Sequence, residues 1–182
     1  RSGPRPDSGS AAMRCQRMSC FQWSKEMSVG VATIDSDHKC LIRIIDLLHD
    51  IRDHEDSRRM IETVLDTLLV YGRHHFAREE RVLAACKFPG RAFHHSEHQE
   101  FARHIQGLRD HFDGAGTPRM ASELLDYLTD WLRHHILIQD MAFKPYVAGK
   151  PQAEEVARAA GPSLLEMADD NRLYAVQPNA AG

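Results

Sequence analysis

The run Ile61-Glu-Thr-Val-Leu-Asp-Thr-Leu-Leu-Val-Tyr-Gly-Arg-His-His75-Phe-Ala-Arg-Glu79-Glu-Arg-Val-Leu-Ala-Ala-Cys86 decides the fold. Ile61, Val64, Leu65, Leu68, Gly72, Phe76, Val82, Leu83 and Cys86 step by threes and fours, the period of one helix face. Three other segments carry such a stripe: Leu41, Ile42, Ile45 and Leu48, in a helix beginning near Asp35; Phe101, Ala102, Ile105 and Leu108; and Ala121, Leu124, Leu125, Leu128, Trp131 and Leu132. Asp56-Ser57 can cap the second helix. Phe88-Pro89-Gly90 separates the second from the third, and Asp113-Gly-Ala-Gly-Thr-Pro118 the third from the fourth. Short connections favour antiparallel neighbours. The expected fold is all-α, an up-down-up-down antiparallel four-helix bundle over residues 23–147. Residues 1–22, rich in Gly, Pro and Ser, read as a flexible leader, and residues 148–182 as a C-terminal tail. That tail has room for one short helix from Leu164 to Val176, opened by Pro162-Ser163.

Composition narrows the function. Of 182 residues, 23 are Lys or Arg and 26 are Asp or Glu, a formal charge of −3, and the pI is about 6.5. No basic stripe points to nucleic acid. No apolar run reaches the roughly 18–20 residues of a membrane span. Cys15, Cys20, Cys40 and Cys86 are too sparse for a disulfide scaffold, so a reducing cytoplasm is the expected compartment. The anomaly is histidine, 12 residues in all.

Several histidines lie on the buried stripes. His38 precedes Leu41 and Ile42 by one turn. His75 and Glu79 fill the slots between Gly72 and Val82. His94 and His98 lie two turns and one turn before Phe101, His135 lies one turn after Trp131, and Asp140 follows five residues later. Spacing also resolves the doublets, because residues four apart share a helix face. His75 is followed by Glu79 at that distance, whereas His74 is followed by Arg78; His94 has His98, whereas His95 has Gln99. His135 continues the Leu124–Leu128–Trp131 stripe, and His134 does not. No role is assigned to His49, His54, His104 or His111. In an up-down bundle the starts of odd helices and the ends of even helices meet at one end, so all seven residues are expected at a similar depth.

Burying seven polar groups costs several kcal/mol each unless they are paired, and metal is the partner that suits them all. Seven ligands exceed one tetrahedral zinc site but match two ions about 3.5–4 Å apart, bridged by the carboxylates. Without a cysteine in the set, thiolate-preferring ions and iron–sulfur clusters are disfavoured. Imidazole with carboxylate suits iron, while copper, nickel and zinc stay open on ligand type. Five histidines over two ions divide three against two, which leaves one ion with a vacancy.

These residues resemble the hemerythrin family, specifically the bacterial hemerythrins. The resemblance runs through Trp23, Val29-Gly-Val, Ile34-Asp-Ser-Asp-His38-Lys-Cys-Leu41, Tyr71-Gly-Arg-His-His75-Phe-Ala-Arg-Glu79-Glu80 and Phe88-Pro89. It continues through His94-His-Ser-Glu-His98-Gln-Glu-Phe101 and Trp131-Leu-Arg-His-His135-Ile136 to Asp140. It implies a non-haem di-iron site that binds dioxygen reversibly. By that resemblance His94, His98 and His135 hold one iron, His38 and His75 hold the iron with the open position, and Glu79 and Asp140 bridge them. An oxo or hydroxo group supplies the third bridge, and Trp131, Leu132 and Ile136 help wall the oxygen pocket.

The leading expectation is therefore a binding protein for oxygen carriage, storage or delivery, and not an enzyme. Oxygen-activating di-iron bundles typically use more carboxylate, in Glu-x-x-His motifs. The alternatives are a sensor of oxygen, nitric oxide or redox state acting through a partner by way of the tail, and a di-iron oxidase or iron store.

Overall fold

The structure is a computed structural model that describes residues 21–51, 57–112 and 118–170. Most of the expected leader, the Asp56 half of the expected cap and most of the Asp113–Pro118 break lie outside the described residues. Four long helices carry the four apolar stripes: α1 (Ala32–Ile51), α2 (Ser57–Ala85), α3 (Arg91–Asp110) and α4 (Pro118–His134). The chain of α4 runs on through a π-helical turn, His135–Asp140, into α5 (Met141–Val147). Among the described residues there is no strand, and no helix is long and apolar enough to cross a membrane.

Helix α1 begins three residues before Asp35. Asp35 instead lies in its first turn and accepts hydrogen bonds from the Val29 amide at 2.9 Å and the Ser28 hydroxyl at 2.6 Å. The incoming chain is thereby tied down beside a 3-10 turn, Lys25–Met27. Gly30 makes this approach possible. Its φ is +80°, and a Cβ there would stand 2.9 Å from Cβ of Ala148.

Named contacts fix the helix directions. His38, early in α1, meets His75, late in α2, with ring centroids 4.9 Å apart. Arg109, at the end of α3, pairs with Asp66 at 2.6 Å and Glu62 at 3.0 Å, near the start of α2. His38 also lies 3.3 Å from Asp140, beyond the end of α4. Neighbouring helices are therefore antiparallel, and the long helices form an up-down-up-down bundle.

The apolar interior divides in two. Leu41, Leu65, Leu68, Phe101, Leu128, Leu132 and Ile136 belong to one buried cluster; Ile34, Val82, Leu83, Phe143 and Val147 belong to the other. Along α1, α2 and the chain after α4, the switch between clusters falls at His38, at His75 and Glu79, and at Asp140. The polar residues thus form a layer between two hydrophobic cores.

Among the described residues, the C-terminal segment carries two helices where one was expected: α6 (Pro151–Ala159) and α7 (Leu164–Asp169). Helix α7 ends at Asp169, and residues 171–176 of the expected helix lie outside the described residues. A capping box starts it, with Ser163 Oγ accepting from the Glu166 amide while Glu166 accepts from the Ser163 amide. The segment is packed rather than loose. Ala153, Ala157 and Leu164 are wholly buried, and α6 and α7 lie against α1 and α2.

Candidate metal centre

The spacing of the doublets matches the burial. His75, His94 and His135 are buried, whereas His74, His95 and His134 are exposed. The seven singled-out residues, His38, His75, Glu79, His94, His98, His135 and Asp140, are all buried. Their donor atoms gather into two overlapping groups. Ligand atoms of Glu79, His94, His98 and His135 lie within 4.8 Å of one another, as do those of His38, His75 and Glu79. Glu79 is common to both. Its Oε2 is 2.9 Å from His94 Nε2, 3.1 Å from His98 Nε2 and 3.9 Å from His135 Nε2. Asp140 also reaches both sides, with Oδ2 3.3 Å from His38 Nε2 and Oδ1 3.4 Å from His135 Nε2.

The π turn makes Asp140 part of this set. In an α-helix two residues five apart are rotated by about 140°. The wider turn between His135 and Asp140 absorbs one residue and returns the carboxylate to the face of the imidazole.

The electrostatics are those of donors facing one another. Burial pushes the pKa of His38 down to about 3 and that of His135 well below the usual range, so both rings are neutral with free lone pairs. Burial, followed by the charge of Glu79, raises Asp140 well above the carboxylate range. Burial opposes ionisation of Glu79 too, but its hydrogen bonds with His94 and His98 win and hold it well below that range. His98 Nε2 and His135 Nε2 face each other at 3.2 Å. Both nitrogens of His38, His75 Nε2, Glu79 Oε1 and both carboxylate oxygens of Asp140 are buried without a hydrogen-bond partner among the described residues. Each such group costs about 1–3 kcal/mol if left unsatisfied. Divalent cations satisfy imidazole nitrogens and carboxylate oxygens together, so this donor set fits metal.

A second layer holds the rings, and spacing alone did not reveal it. His75 Nδ1 lies 3.4 Å from Asp37 Oδ2, which leaves Nε2 for the interior. His98 Nδ1 lies 3.0 Å from Glu80, which also meets His95 at 2.8 Å. Phe76 stacks on His98 at 3.9 Å and Trp131 on His135 at 4.3 Å. Arg78, grouped with the exposed His74 by spacing, is only 2% exposed and donates to Asp37. The adjacency of Asp37 to His38, and of Glu80 to Glu79, was the available signal. Leu132 and Ile136 are fully buried, while Trp131 is partly buried against His135, Phe76 and Phe101.

Fold and site together define a helical bundle built around a buried histidine and carboxylate cation site. The hemerythrin HHE cation binding domain family matches residues 29–147, and the chain belongs to that family. It is 29% identical to a bacteriohemerythrin of Pseudomonas paraeruginosa over 126 residues, 69% of this chain and 80% of the relative. It is 28% identical to a myohemerythrin of Sipunculus nudus over 125 residues, 68% of this chain and 91% of that one. Among solved structures, a point mutant of hemerythrin superposes with a TM-score of 0.61 at 23% identity, covering 72% of this chain and all of the other. That likeness is one of fold.

Proposed function

We propose that the chain binds two non-haem iron ions at these seven residues and uses them to bind dioxygen reversibly, as a carrier, store or delivery protein and not as an enzyme. The observation that supports this best is the pair of donor groups sharing Glu79, one with three imidazoles and the other with two. His94, His98 and His135 would hold one ion, His38 and His75 the other, with Glu79 and Asp140 between them. When bound, the iron pair supplies the electrons that a dioxygen molecule needs to bind at the ion with the smaller ligand set.

The protein's own residues would set the conditions for reversibility. Neutral His38 and His135 present lone pairs without first losing a proton. Asp37 and Glu80 accept from the far nitrogens of His75 and His98 and keep both rings turned inward. Trp131, Leu132 and Ile136 keep water away from the site, the first against the three-imidazole side. Two carboxylates among seven donors favour binding over oxidative chemistry.

Metal analysis of the purified chain, with its visible spectrum through cycles of oxygen addition and removal, tests this reading. Two irons per chain and a charge-transfer band that returns with each cycle are expected. Irreversible conversion on first exposure would turn the assignment towards an oxidase.

A further inference from the structure

The C-terminal helices lie beyond the residues that the family covers, yet they end on the layer behind His75. The Leu164 amide, at the start of α7, donates to Asp37 Oδ1 at 2.6 Å. Arg78 donates through Nη1 to Asp37 Oδ2, through Nε to the Ala157 carbonyl at 3.2 Å, and through Nη2 to the carbonyls of Gly161 at 3.3 Å and Pro162 at 2.6 Å. Asp37 and Arg78 are both buried, and His75 Nδ1 rests on the same Asp37 oxygen that Arg78 holds. Among the described residues, the one group besides Arg78 and His75 that meets Asp37, the Leu164 amide, therefore comes from the segment after residue 150.

We propose that α6 and α7 form a latch that positions His75. Docked, the latch supplies one amide and three carbonyls that fix Asp37 and Arg78, and these fix the imidazole from behind. Released, it exposes the Asp37–Arg78 pair to water and frees the ring to turn. The turn at Gly161 governs docking. Its φ of +107° sets successive carbonyls towards Arg78, and a side chain there would be strained although it would meet no neighbouring atom. Further anchors hold α6 and α7 to α1, from Glu154 to Thr33 at 2.7 Å and from Arg43 to Asp169 at 2.6 Å. The latch gives the C-terminus a route to the two-imidazole ion. That consequence rests on the metal reading above, but the positioning of His75 does not.

The test uses the full chain with Gly161→Val, the milder Gly161→Ala in case the first fails to fold, and Leu128→Ala as a core variant remote from the latch. In the cation-free chain with 15N-labelled histidine, the wild type should show a slowly exchanging His75 Nδ1 proton. Gly161→Val should shift or broaden that signal while the amides of 164–169 lose protection from hydrogen exchange, and Leu128→Ala should leave it in place. Loaded with ferrous iron and titrated with a chelator, Gly161→Val should release one of its two ions at about tenfold lower chelator, as second-layer changes typically do. An unchanged His75 signal in a chain whose 164–169 amides have opened would overturn the latch. So would equal disturbance by Leu128→Ala, or unchanged protection in both Gly161 variants. A chain that takes up no iron would defeat the metal reading alone, and the His75 signal would still decide the latch.

Discussion

His135 and Asp140 are five residues apart in the chain, yet Nε2 of one lies 3.4 Å from Oδ1 of the other. The π turn that permits this behaves as an α-helix with one inserted residue. Ile138, 57% exposed within the turn, is the residue to remove. Deleting it should restore a regular helix, with the imidazole and the carboxylate four apart on one face and Phe143 still facing its core. Cation content per chain after dialysis should match that of the unaltered chain. Inserting an alanine after Ile138 should instead swing the Asp140 position by about 100° and abolish cation retention. If the deletion loses metal as completely as the insertion, Asp140 is not held by this mechanism.

His75 and His74 make the simplest contrast, being adjacent but buried and exposed respectively. His75→Ala should remove one imidazole from the two-imidazole group and leave Asp37 without one of its partners. Loss of metal and of oxygen binding is expected, read by iron analysis and the visible spectrum. His74→Ala should leave both unchanged. Two irons and an unaltered spectrum in His75→Ala would refute the assignment.

Glu80 is only partly exposed and accepts from both His98 and His95. Glu80→Gln should weaken the His98 side, lowering cation affinity about 10-fold or more, in the range typical of carboxylates behind a ligating histidine. Competition against a calibrated chelator measures this. An affinity within a factor of two of wild type would mean that Glu80 serves only the surface.

Proton linkage gives a fourth prediction, with a definite sign. Asp140 is raised well above the carboxylate range by burial and by Glu79, and His98 is also raised, because its hydrogen bonds with Glu79 and Glu80 outweigh burial. Both must give up protons to ligate, while His38, held near 3, has none to lose. A raised pKa stabilises the cation-free chain at low pH, and that contribution is lost as pH rises through the folded value. Cation binding should therefore release protons and tighten as pH rises. Calorimetry in two buffers of different ionisation enthalpy should show net release; a binding enthalpy independent of buffer would contradict it.

The Tyr71 hydroxyl is buried without a hydrogen-bond partner among the described residues, and its ring lies 5.0 Å from that of His75. Tyr71→Phe removes an unsatisfied group with little change in shape. The cation-free chain should be unchanged or more stable by up to about 1 kcal/mol in urea denaturation. A loss of stability larger than that would reveal a partner for the hydroxyl in solution.

Helical period alone carried much of this. The stripe from Ile61 to Cys86 and its three counterparts set four helices, short connections made them antiparallel, and spacing of four singled out His75, His94 and His135 from their neighbours. These are local properties: each depends on the angle between residues of one helix, and a sequence displays that angle directly. Arg78 shows where the rule stops. It shares a face with an exposed histidine, but a segment some 80 residues further along covers its longer side chain.

The sequence by itself therefore determined the bundle and the polar residues that interrupt its core. Only the tertiary structure decided that Glu79 stands in both donor groups, that a π turn rather than an α-helix brings Asp140 round to His135, and that α6 and α7 close over Asp37 and Arg78. The reason is physical. Which groups share a partner, and which stretch of chain covers a buried charge, depends on distances between elements remote in sequence, and those exist only once the helices have packed.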